Sequence, residues 1–254
     1  MKKSYRWDHL TSREIGALAE RNAIVLLPLG ATEQHGPHLP VGCDSILATW
    51  FAEMTAQGLN EKGVPAIVAP TFSVANSMHH MSFPGSMSLR PRTYMECLQE
   101  QCRAIAAHGF RKIAFINGHG GNTAPTKTAL IDINLELGFP VYLLDYMVVD
   151  EAPYLDTQKS IMHSCECETS LMLACDESLV DPIYKETHGT IAGCTKYEDE
   201  GVLHTFHNME TKTPNGARGN AYAATKEKGE RVARAYTAKL IEILSDETIW
   251  QQVV

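Results

Sequence analysis

The 254-residue sequence contains no apolar run near the ~20 residues that a bilayer-spanning helix requires; its longest candidates are short strand-like stretches such as AIVLLPLG, residues 23–30. This argues against a membrane role. The opening MKKSYRWDHLTSREIG turns polar after two lysines and offers no apolar core for an export leader, so a cytoplasmic protein is expected. Positive charge is scarce: 22 Lys and Arg against 30 Asp and Glu leave a net −8, and no basic stripe stands out that could hold a phosphate backbone, which argues against nucleic acid as a partner. Seven cysteines, an odd number without framework spacing, read as reduced thiols, with Cys97 and Cys102 as small core hydrophobes. No repeat, low-complexity tract, like-charge run or Gly/Pro-rich linker divides the chain, so residues 1–254 read as one domain.

What is present is an alternation of two patterns. Short β-branched or apolar runs occur at Ala23 to Leu29, Pro65 to Ala69, Ile113 to Ile116 and Val141 to Leu144, each followed by a polar or Gly-rich turn. Between them lie stretches with helical spacing, such as Tyr94, Leu98, Cys102 and Ile105, and then Ala129 to Leu137 closed by Gly138. A βαβα order predicts an α/β fold, a three-layer sandwich with a mostly parallel central sheet flanked by helices. In such sheets ligands bind beyond the carboxyl ends of the strands, which directs attention to residues that follow a strand-like run.

Three segments carry chemistry. LPLGATEQHGPHLPVGCD, residues 27–44, presents Glu33, His35, His38 and Asp44 in a Gly/Pro-rich turn; carboxylates plus imidazole suit Zn, Mn or Fe(II), against the plainer reading of a polar surface loop. INGHGGN, residues 116–122, surrounds His119 with glycines, and Asn122 is expected to cap a helix beginning near Thr123. A phosphate loop is the rival for this segment, yet neither G-x-G-x-x-G nor G-K-[ST] is present. HSCECETSLMLA, residues 163–174, places His163, Glu166 and Glu168 at the start of an apparent helix, where His163 and Glu166 are three apart and Glu168 is turned away. The plain alternative for these acids is stabilisation of a helix N-terminus.

These segments resemble the creatininase, or creatinine amidohydrolase, family. The likeness rests on PLGATEQHGPHLPVGCD, on HHMSFPGSMSL at residues 79–89, on NGHGGN and on the block from His163 to Ser170, in that order, and covers nearly the whole chain. The resemblance implies a three-layer α/β fold, usually hexameric, with two divalent metals bridged by an aspartate and a water or hydroxide. Carried over, Glu33 and His119 hold one metal, His35 the other, Asp44 bridges them, and His163 moves protons. Two departures matter. The namesake takes the second metal's carboxylate from two residues after the loop histidine, where this sequence has Gly121; the assignment that follows is Glu166, so that His35, Asp44 and Glu166 hold the second ion. The namesake also stacks its substrate between tryptophans, whereas Trp7, Trp50 and Trp250 lie far from the motifs in sequence, which separates this chain from creatinine itself.

The expected chemistry is hydrolysis of a non-peptide, including cyclic, amide of a small molecule. Two divalent ions, zinc first with manganese or ferrous iron as alternatives, would lower the pKa of a shared water towards ~7, and the bridging hydroxide would attack the carbonyl carbon. His163 would then protonate the leaving nitrogen. His80 and Phe83, with Gly120 and Gly121, are the candidate substrate contacts; His79 is a further one. Two alternatives stay open: a hydrolase of a cyclic ketone or ester in sugar or inositol metabolism, and a non-catalytic metal-binding regulatory protein.

Overall fold

A computed structural model describes residues 4–189 and 203–251. Four strands, β1 (Ile24–Leu29), β2 (Ala66–Val68), β3 (Lys112–Asn117) and β4 (Val141–Asp145), form one sheet in the order β2-β1-β3-β4, and every pairing is parallel. The strands lie where the apolar runs predict them, with ends shifted by a residue or two. β1 is buried along its whole length, as a central parallel strand covered on both faces must be.

Alternation along the strands sorts the core into two layers. Ile24, Leu26, Ala114, Ile116 and Leu144 face α2 (Cys43–Glu61), α5 (Glu166–Asp176) and α6 (Lys226–Leu244), while Val25, Leu27, Leu29, Ile113 and Phe115 face α1 (Ser12–Glu20), α3 (Pro91–Ala107) and α4 (Gly120–Leu137). The expected three-layer α/β sandwich is therefore the observed architecture. Its aromatic anchors, Phe51 stacked on Tyr146 at 4.6 Å and Tyr94 bonded through its hydroxyl to Thr126 at 2.8 Å, sit one on each side. Each such ring contributes roughly 1.5–3 kcal/mol by leaving water. Local signals agree with these packings: Thr11 and Glu14 make a reciprocal capping box at the start of α1, and Gly138 ends α4 at φ +70°. Among the described residues no helix is long and apolar enough to cross a membrane.

The strand order reverses direction between β1 and β3, and there the crevice opens. The N-terminus of α2 closes over it. A Cβ on Gly30 would lie 2.4 Å from the Ser45 Cα, and one on Gly118 would lie 2.7 Å from the Asp44 carbonyl oxygen. Both glycines thus let the first turn of α2 touch the ends of β1 and β3. We expect Gly30→Ala to force α2 away, destabilising the protein by about 1–3 kcal/mol in urea titration and displacing Asp44 from the crevice; unchanged stability would show that α2 is not held by this contact.

Candidate metal centre and active site

The side chains reach the crevice by four routes. Glu33 and His35 come from the loop after β1, His119 from the turn after β3, Asp44 from the first turn of α2, and Glu168 from the first turn of α5. All five are buried. His35 Nε2 lies 3.0 Å from Asp44 Oδ1 and 4.0 Å from Glu168 Oε2. His119 Nδ1 lies 3.1 Å from Asp44 Oδ2 and its Nε2 3.3 Å from Glu33 Oε2, so Asp44 stands between the two imidazoles.

Close approach has not satisfied these groups. Both Glu33 oxygens, Asp44 Oδ2 and His35 Nε2 are buried without an aligned hydrogen-bond partner. Orphaned buried acceptors in one place are costly unless a cation meets them. Three overlapping sets of ligand atoms, Glu33 with His35 and His163, Glu33 with His79 and His119, and His35 with Cys43 and Asp44, each lie within 4.8 Å of one another. The donor set, oxygen and imidazole nitrogen, fits divalent zinc, manganese or iron. The Cys43 thiol is a weak candidate among them, because burial and the neighbouring carboxylates hold it protonated.

Carbonyl oxygens fix which ring nitrogens face inward. His35 Nδ1 donates to the Glu33 carbonyl at 3.1 Å, leaving Nε2 free towards Asp44. His119 Nε2 donates to the Asn76 carbonyl at 3.0 Å, leaving Nδ1 towards the Asp44 carboxylate. This orienting of a ring by its other nitrogen is the usual support of a metal-ligating histidine. His163 follows the same rule: Nε2 donates to the Gln34 carbonyl at 2.8 Å, and Nδ1 lies 3.4 Å from Glu33 Oε1. Burial and the adjacent His35 and His80 hold His163 neutral, well below the ordinary imidazole range.

The assignment of Glu166 fails on position. Its carboxylate accepts from Lys228 Nζ at 2.6 Å, from the Asp156 backbone at 2.9 Å and from the Thr157 hydroxyl at 2.7 Å, which occupies it on the far side of α5 from the crevice. Although burial works the other way, Lys228 and these donors hold Glu166 below the usual carboxylate range. Glu168, two residues on and about 200° around the helix, takes the position towards His35. The Ser164 backbone N–H donates to Glu168, and the Ser164 hydroxyl donates to the His35 carbonyl at 2.6 Å, so one residue ties the carboxylate to the β1 loop.

Other expectations change as well. His163 lies ahead of α5, not on it, because Ser164 adopts φ +57° and breaks the backbone away from the helix. Asn122 is no cap: α4 begins at Gly120, and the Asn122 amide bonds to the Gly30 carbonyl at 2.9 Å while its oxygen accepts from the Asn76 backbone at 3.2 Å. His80 reaches the cavity wall, where its Nδ1 accepts from Gln34 at 2.9 Å and its Nε2 lies 3.3 Å from Glu33 Oε1. Gly120 and Gly121 line the cavity, whereas Phe83 stands outside its lining. A Cβ on Gly121 would lie 2.3 Å from His119 Nε2 and 2.5 Å from the Asn76 oxygen, so this chain has no room there for the carboxylate that the namesake supplies.

The cavity measures about 270 Å³ and is lined, besides the polar cluster, by the apolar Met147, Ile161, Met162 and Met209 and by Arg218. No tryptophan lines it: Trp7 packs on Phe110, Trp50 beside Phe51 and Trp250 on Tyr142. Sequence reasoning missed Arg218 and the methionines of the lining, which no motif marks.

Comparison with known proteins now decides the family. The creatininase (creatinine amidohydrolase) family model matches residues 8–244. The chain belongs to the creatininase family. The creatinine amidohydrolase of Pseudomonas putida is 29% identical over 97% of this chain and 98% of its own length. The mycofactocin precursor peptide peptidase of Mycolicibacterium smegmatis is 35% identical over 50% of each chain, so the match spans about half the length of that relative. Among solved structures, a creatinine amidohydrolase superposes with a TM-score of 0.83 at 26% identity, covering 99% of this chain and 100% of the other. A manganese form of creatininase gives 0.80 at 27% identity, covering 96% and 99%. Members of the family thus include hydrolases of carbon–nitrogen bonds other than peptide bonds, and metal-bearing forms are known among them.

The electrostatics give a prediction about loading. Burial alone would lower His35, but the Asp44 carboxylate raises it to about 10; His119 is likewise raised to about 9, burial being overcome by Glu33 and Asp44. Burial lifts Glu33 and Glu168 to about 7 against the pull of His119 and His35 respectively. With no cation bound, both histidines carry a proton at pH 8, and the two glutamates take one up as pH falls through 7. A cation needs all four deprotonated. Zinc titration calorimetry in buffers of differing ionisation enthalpy should therefore show about two protons released per chain at pH 8, more at pH 6.5, with affinity weakening as pH falls. Release near zero at both pH values would show that these are not the ligands.

Proposed function

We propose that this chain is a metal-dependent amidohydrolase that cleaves a non-peptide, including cyclic, amide bond of a small molecule. The observation that carries the reading is the convergence of three buried carboxylates and two imidazoles, among which both Glu33 oxygens, Asp44 Oδ2 and His35 Nε2 have no aligned hydrogen-bond partner. Glu33 and His119 would hold one divalent ion, His35 and Glu168 the other, and Asp44 would touch both; zinc is the first candidate, with manganese and ferrous iron as alternatives. Bound there, the ions would supply an acidified water and polarise a carbonyl oxygen.

The chain's own residues supply orientation and proton transfer. His163 starts neutral, with Nδ1 directed at the cluster, so it can accept a proton during attack on the carbonyl and deliver it to the departing nitrogen. Gln34 keeps that ring in place through its carbonyl, and its own amide is clamped by the Gly36 N–H at 2.9 Å and the Gly216 oxygen at 3.1 Å. Met147, Ile161, Met162 and Met209 make part of the cavity lining apolar, which strengthens the electrostatics of the cluster. The family relation to creatininase and to a peptide peptidase supports an amide substrate, and the lack of tryptophan in the lining argues against creatinine. The 3-dehydro-scyllo-inosose hydrolase of Thermotoga maritima, 29% identical over 44% of this chain and 34% of its own length, keeps a ketone as the alternative substrate, and an assay for released amine separates the two. We place the protein in the cytoplasm as a homo-oligomer, a hexamer by family resemblance; exposed Val41, Met78, Met81 and Met87 offer apolar surface for such contacts, and light scattering reads the assembly.

Elemental analysis tests the centre. Wild type should carry two metals per chain on this reading, and Asp44→Ala should lose both. Glu168→Ala should lose one, whereas Glu166→Ala should keep two while unfolding more easily, by about 1–3 kcal/mol, because Lys228 is left without its buried partner. Equal metal loss from both glutamate variants would overturn the distinction. His163→Ala should keep both metals and lose roughly 10²–10⁴-fold in kcat; retained turnover would remove His163 from the chemistry.

A further inference from the structure

Arg218 takes no part in the carboxylate–imidazole cluster, and its setting is unusual. It lies on the wall shared by the metal-site cavity and a second cavity of about 240 Å³, together with His79 and Met209. Its Nε is buried without a hydrogen-bond partner, and among the described residues no carboxylate pairs with it. A partly buried guanidinium is poorly solvated and offers only donors, so it favours a planar acceptor brought from outside.

Its position is held relative to the chemistry. The Arg218 backbone N–H donates to the His163 carbonyl at 2.9 Å, and the turn before it is braced by the Thr213 hydroxyl on the Ala217 carbonyl at 2.7 Å and by Asn215 Oδ1 accepting from Ala217 N–H at 3.1 Å. Among the described residues the second cavity has Lys212 in its wall and no Asp or Glu. Lys212 and Arg218 thus put positive charge on the wall of the second cavity. Two divalent ions would offset the three carboxylates of the cluster, which removes the repulsion an anionic ligand would otherwise meet.

Resting on the amidohydrolase reading above, we propose that Arg218 is a specificity-determining residue that anchors a carboxylate on the substrate, so that the amide cleaved belongs to a small carboxylic acid whose acid group points towards the second cavity. The guanidinium holds the carboxylate through paired N–H donors, and the amide then lies between His163 and the carboxylate cluster.

The test compares N-acetylglycine with N-acetylglycinamide, which differ in the charged group alone, on zinc-loaded wild type, Arg218→Gln and Arg218→Lys. Binding is read by calorimetry, turnover by released amine, and metal content is measured for every preparation. Wild type should favour the carboxylate by at least about tenfold, as expected for a charge-assisted pair. Arg218→Gln should bring the ratio close to one with two metals retained, and Arg218→Lys should keep part of it. If Arg218→Gln folds poorly, a several-fold loss of preference in Arg218→Lys carries the same meaning. No preference in wild type overturns the proposal, and so does an undiminished preference in the variants, since the metals would then hold the carboxylate. Because the ratio is read in binding as well as turnover, a protein that hydrolyses neither compound yet binds the acid through Arg218 would contradict the amidohydrolase reading and leave the anchor standing.

Discussion

Three buried carboxylates packed against two buried imidazoles set the terms for the rest of this molecule. Such a cluster repels itself, and without a cation it is tolerated by taking up protons: His35 and His119 are pushed up by the acids beside them, and Glu33 and Glu168 are lifted by burial. A fold that only needed stability would replace these groups with apolar ones. Holding them at 3–4 Å from one another instead demands rigid supports from every side. The parallel sheet supplies two, the ends of β1 and β3, and the helices α2 and α5 supply the others.

Much of this was legible in the chain itself. Strands flanked by turns are marked by apolar runs, and the reversal of strand order places the loops after β1 and β3 side by side, so Glu33, His35, Asp44 and His119, read from their positions after strands together with the family likeness, come together in the crevice. What failed was phase and backbone detail. Residues 166–173 are buried on every side, so hydrophobic periodicity cannot say which face of α5 meets the crevice. The count of three from His163 to Glu166 presumed one continuous helix, and Ser164 in the left-handed region breaks that presumption. Asn122 looked like a cap because Asn favours that place, yet tertiary bonds to Gly30 and Asn76 claim its amide. Phe83 is a candidate because its segment follows a strand-like run ending near Phe72, yet it stands outside the cavity lining. Arg218 follows the last described histidine-bearing loop and carries no motif; only folding brings it to the cavity lining.

Glu166 serves the packing of α5 through its pair with Lys228. Its ion pair with Lys228 joins α5 to α6, and the same two helices meet so closely at Gly229 that a Cβ there would overlap the Ser170 carbonyl at 1.8 Å. Thr225 N–H also bonds to the Ser170 hydroxyl at 3.1 Å. These contacts fix the rotation of α5 about its own axis. On a helix each residue turns the direction of its side chain by about 100°, so fixing Glu166 outward on Lys228 leaves Glu168 directed inward towards His35. The two glutamates are thus a single device: one is neutralised by a lysine so that the other is delivered, unneutralised, to the crevice. Exchanging their roles would require α5 to rotate by nearly half a turn against Gly229, which the backbone contact does not permit.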